Sequence, residues 1–163
     1  MRTLSLLSFL LAVNAFAAAP KATVLDTLHA TFEASIDKAK AKLTCKSEWK
    51  ETEATTQRGG KYRALMCGEA QLMAHGDTVF AVGLPLESKA NFKTVDAAQK
   101  KVIAELAAAC TTVRQSGPMS LFECPGKFTV AVVSNWNSKD DTHSLTALFG
   151  LSGELMPMIT GEK

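Results

Sequence analysis

The chain has little that announces a reaction. It contains no Gly-x-Ser-x-Gly and no Cys-x-x-Cys, and it has only three histidines. The first absence removes the strand–turn–helix setting of a serine hydrolase nucleophile, and the second removes a redox-active dithiol or a paired zinc-ligand motif. None of the histidines stands in a recognisable triad setting. No Asn-x-Ser/Thr occurs, so N-glycosylation is not expected. An excess of one charge is lacking too: 18 Lys and Arg face 16 Asp and Glu. Capture of nucleic acid or of an anionic membrane needs a clustered cationic excess, and none is present.

What is there begins with an exported look. Arg2 precedes an apolar run from Leu4 to Val13, and Ala15-Phe16-Ala17 offers small residues where a signal peptidase needs them. Residues 1–17 therefore read as a secretory signal peptide, too short and too lightly flanked for a membrane anchor. Cleavage after Ala17, or a residue or two away, would leave residues 18–163 as one domain, periplasmic or secreted. Removal of Arg2 leaves seventeen cations, eighteen less one, so that product is near neutral. About 146 residues bury roughly 68–70% of their unfolded surface, enough for a true core.

All four cysteines, Cys45, Cys67, Cys110 and Cys124, fall after the leader. An even count in an exported chain argues for two disulfides. Three connectivities are open; Cys45–Cys67 with Cys110–Cys124 is favoured because each joins a helix end to a nearby strand.

Hydrophobic spacing outlines the rest. Leu25, Leu28, Phe32, Ile36, Ala39 and Leu43 form one helical stripe of about five turns, with His29 at its border. Lys46 to Gln57 reads as a strand, Arg58-Gly59-Gly60-Lys61 as a hairpin turn, and Tyr62 to Ala74 as the return strand. His75-Gly76-Asp77 is a turn into the strand Thr78–Val82, and Leu84 to Lys93, with Pro85, reads as a connector. Thr94 is the expected N-cap of a second helix, whose stripe runs from Val95 through Val102, Leu106 and Cys110 to Val113. Gly117-Pro118 ends it. Leu121–Cys124 and Phe128–Val133 flank Pro125-Gly126 as a hairpin, Asn135 to Thr142 is a polar loop, and His143–Leu151 is a last strand. A turn of helix over Glu154–Ile159 is limited by Pro157.

The expected fold is therefore α+β: an antiparallel sheet of about five to six strands with two amphipathic helices on one face, in the order α-β-β-β-α-β-β-β. Residues 23–84 and 94–151 repeat this plan, cysteines included, although their helix stripes are about one residue out of phase.

Few clusters can carry chemistry. Asp140, Asp141 and His143, beside Trp136, hold carboxylates and an imidazole that could bind a cation or activate water. Adjacent aspartates between Ser138 and Thr142 are equally a solvated turn, and a tryptophan among polar residues is a contact anchor. Arg58, Lys61 and Arg63 could receive an anion but lack a phosphate-loop setting. Met156 and Met158 could suit Cu(I), yet two methionines in an apolar tail also pack well against a sheet. The expectation is a non-enzymatic binding or interaction module (an inhibitor, an immunity-type or an envelope accessory protein) with a protein partner and no cofactor. Alternatives are a small hydrolase or metal-dependent enzyme at Asp140, Asp141 and His143, or a small-ligand or metal carrier.

Overall fold

A computed structural model of the chain describes residues 22–43, 45, 47–56 and 59–161. The expected leader and Arg58 of the first hairpin turn lie outside them. The elements are α1 (Val24–Thr31), α2 (Ile36–Lys42), β1 (Lys50–Thr55), β2 (Lys61–Cys67), β3 (Ala70–His75), β4 (Thr78–Ala90), α3 (Phe92–Ala109), β5 (Thr111–Ser116), β6 (Met119–Cys124), β7 (Phe128–Asn137), β8 (Thr142–Leu151) and α4 (Ser152–Thr160). All eight strands form one antiparallel sheet in the order β1-β2-β3-β4-β8-β7-β6-β5. Each half is a four-stranded meander, and β4 pairs with β8 along the seam. In each half a disulfide ties the chain just after the helical segment to the end of the second strand: Cys45 to Cys67, Cα atoms 6.0 Å apart, and Cys110 to Cys124, 4.4 Å apart. Because β4 and β8 run oppositely, the two bridges sit at opposite ends of the sheet.

The strand number of five to six is corrected to eight for two local reasons, and a third lengthens β4. Tyr62–Ala74 is two strands, since Gly68 at φ +61° turns the chain after Cys67. The connector from Leu84 continues β4 to Ala90, and its Pro85 is carried by register shifts between Pro85 and Ala90. Thr111–Ser116, rich in β-branched residues, leaves the helix at Cys110 to become the edge strand β5.

The helices are corrected as well. The five-turn stripe breaks into α1 and α2 because Ala34 and Ser35 pair with the start of β4: Ala34 O accepts from Val79 N at 2.8 Å, and Ser35 bridges Thr78. Asn91 caps α3 in place of Thr94, its side chain accepting from Thr94 N at 2.9 Å. Pro157 lies inside α4 without ending it, six residues into the helix.

Leu28, Ile36, Ala39, Leu43, Val95, Val102 and Leu106 from α1–α3 pack onto one face of the sheet, against Leu65, Leu72, Val82, Phe122, Val130, Leu145 and Phe149. The two expected rods thus share a face. The other face is not bare: Leu155, Met158 and Ile159 of α4 cover Met73, Phe80, Ala81, Tyr62 and Leu148. Strand alternation explains the division, with Leu72 and Ala74 facing α1–α3 and Met73 between them facing α4. Phe128, Phe149 and Phe32 stack and edge together above the core. His29 edges Phe128 and Phe149 at 5.0 and 4.8 Å while remaining exposed, rather than half-buried as its place beside the stripe suggests.

Candidate functional site

β7 outruns its neighbour β6, whereas β8 stays paired with β4 as far as Ala90↔His143. β6 pairs with β7 only as far as Val133, and the last contact is Ser134 N to Pro118 O at 2.8 Å. β7 and β8 continue through Asn135↔Ser144, Trp136↔His143 and Asn137↔Thr142, so much of the expected polar loop is the end of the β7–β8 hairpin, open on the β6 side and flanked by β4 on the other. Only residues 138–141 turn, with Asp141 at φ +50°, a conformation Asp tolerates better than most residues.

Trp136 is 62% exposed, a costly place for an indole. Its Nε1 donates to Asp141 Oδ1 at 3.0 Å, which fixes the ring without burying it. Thr142 Oγ1 donates to Asp140 Oδ1 at 2.7 Å, and Asn137 Oδ1 accepts from Lys139 N at 3.1 Å. The hairpin tip is thereby tied by its own side chains. Val130 and Val132 of β7 and Leu145 of β8 face the helices, so by alternation Trp136 and His143 lie on that same face. There the His143 ring meets Phe92 edge-on at 5.4 Å. Phe92, the first residue of α3, is 66% exposed. Trp136, His143 and Phe92 make a strip of rings at one end of the sheet.

Asn135, Asn137 and Ser144 point to the opposite face of the hairpin. With Glu69 from the β2–β3 turn and Lys89 from the end of β4 they border a cleft of about 180 Å3, which Trp136, Asp140, Thr142 and His143 also line. Ser88 Oγ donates to Glu69 at the cleft edge. This is small beside the roughly 300–1,000 Å3 of a drug-sized ligand site.

Trp136, Asp140, Asp141 and His143 therefore share one tip; Asp141 accepts from the indole and Asp140 from Thr142, while the His143 ring meets Phe92 edge-on. Among the described residues no three His, Cys, Asp or Glu side chains are placed to hold a metal ion. Phe92 escaped the sequence reading because Thr94 drew the helix cap three residues too late; an aromatic just inside a helix N-terminus was the available signal. The two described members of the cationic cluster, Lys61 and Arg63, are paired with acids. Glu51 binds Arg63 Nε and Nη2 at 2.6 and 3.0 Å, Asp77 binds Nη1 at 2.9 Å, and Lys61 pairs with Glu53 at 2.7 Å. The Arg63 hydrogen bonds hold the Glu51 carboxyl below its ordinary value. Met158 packs with α4 against the outer face.

The two disulfides place the fold in an oxidising environment. Among the described residues no helix is long and apolar enough to cross a membrane. Comparison with family models, with curated proteins and with solved structures found no match to this chain.

Proposed function

We propose that the protein is an exported, disulfide-stabilised module without enzymatic activity, and that it binds a protein partner through the end of the β7–β8 hairpin. One observation carries the reading: an indole held rigid by Asp141 yet 62% exposed, continued by His143 and an equally bare Phe92. Large exposed aromatics on a rigid support lose little side-chain entropy on docking and anchor many interfaces. The leader-like residues 1–17 and the paired cysteines support export.

A photoreactive phenylalanine analogue at position 136, in cells producing the full chain, tests this. A discrete cross-linked protein is expected from position 136 and none from position 113 on the β5 edge. Once the partner is purified, Trp136→Ala should weaken it by about 2 kcal/mol, some thirtyfold. Equal cross-linking from both positions, or an unchanged affinity for Trp136→Ala, refutes the assignment.

A further inference from the structure

His75 ends β3 beside the start of α4. Its Nδ1 lies 3.2 Å from the Lys61 carbonyl oxygen of β2, and its Nε2 lies 3.3 Å from Glu154 Oε2 of α4. Both partners are acceptors only. A neutral imidazole has one N–H, so it can donate to one of them and must present a lone pair to the other. The imidazolium donates to both and pairs its charge with Glu154. The ring also lies stacked on Phe80, centroids 4.7 Å apart and planes 21° from parallel, where positive charge is favoured over the aromatic face.

We infer that His75 is a pH-operated latch for α4: the protonated ring ties α4 to β2 and β3, and deprotonation removes one tie. Nearby charges leave Glu154 as the counter-ion. It is the one ionisable side chain of α4. On β2, the Lys61 ammonium is paired with Glu53 of β1. Arg63, also on β2, is held by Glu51 of β1 and by Asp77 of the β3–β4 turn, and it further donates to the Gly76 carbonyl. β4 brings no charged side chain before Glu87. What the latch guards is the outer-face cluster of Met73, Phe80 and Ala81, which Leu155 seals. Its sign follows from the donors. The charged ring makes both donations and the neutral ring makes one, so the latch is tighter on the acid side.

Hydrogen exchange of the full chain between pH 5.5 and 8.0, corrected for intrinsic exchange, reads the latch. That window covers the range where imidazoles change charge and stays above that of carboxylates. Protection of α4 amides, taken relative to β7 amides, should be about two- to fivefold greater at pH 5.5 than at pH 8.0, the size of a partly exposed ion pair. His75→Gln and Glu154→Gln, which keep volume and polarity, should each flatten the profile. A flat profile in the unmodified protein, or a rise that survives both substitutions, overturns the latch.

Discussion

Single residues set some of the tightest tolerances in this molecule. Gly150 of β8 sits at the seam opposite Ala81, and a Cβ there would lie 2.5 Å from the Phe80 carbonyl oxygen and 2.7 Å from Ala81 Cβ. Backbone cannot swing aside as a side chain does, so Gly150→Ala should destabilise by about 1–3 kcal/mol in urea unfolding. Gly153, in the first turn of α4, has nothing within 4 Å of its added methyl. Gly153→Ala is expected to be neutral or to stabilise by up to about 1 kcal/mol. Three carboxyls, Asp26 and Glu51 exposed and Glu33 half-buried, add a pH dependence at the same scale. Asp26 is held below its ordinary value of 3.8 by hydrogen bonds from Thr23, first its backbone N–H and then its hydroxyl. Glu33 and Glu51 are held below 4.5 by Lys42 and Arg63. A lowered folded-state pKa means the stabilisation is present above the unfolded value and drains as pH falls through the folded one. The urea midpoint should therefore change little on these groups' account down to about pH 5 and decline below about pH 4. A midpoint that rises on that acidification would contradict the assignment. Asn91 shows how residue-scale reading goes astray: Asn91 and Thr94 are both good caps three apart, and only the observed bond between them says which one caps.

At the scale of elements, the disulfides do what the cysteine count suggested. Both close short loops, with separations of 22 and 14 residues, and each fastens a helical segment to a strand. In the chain-entropy picture loops of these sizes contribute about 3 kcal/mol each. Replacing Cys110 and Cys124 together by Ser should lower unfolding free energy by about that amount, and the Cys45/Cys67 pair by a similar one. A loss well under 1 kcal/mol for either pair would show that the folded chain carries compensating strain. Helix breaks were less legible. The apolar stripe from Leu25 to Leu43 has helical spacing throughout, yet α1 stops at Thr31 because Ala34 and Ser35 bond the remote start of β4. Periodicity reports which side of an element is buried, and it is blind to a distant strand competing for the backbone. β5 was hidden for a related reason: Val113 continues the helical stripe, and the edge of β6 claims the backbone around it.

At the scale of the whole molecule, the palindromic strand order puts two four-stranded meanders back to back with their bridges at opposite ends. The halves differ where the proposed recognition tip stands. The β3–β4 hairpin closes at His75↔Thr78, while the β7–β8 hairpin runs four pairs past Val133, the last residue of β7 that β6 matches, leaving Trp136 without a strand on the β6 side. The sequence alone determined the α+β class, the two amphipathic helical regions, a cysteine count that fits two bridges and the polar tip around Trp136, because each rests on local spacing or on covalent arithmetic. The pairing of β4 with β8, the placing of α4 on the outer face and the meeting of Phe92 with His143 were decided only in three dimensions. Each joins segments tens of residues apart or chooses between two faces of a sheet, and a strand's alternation of two fixes which residues share a face without saying which face the next helix will cover.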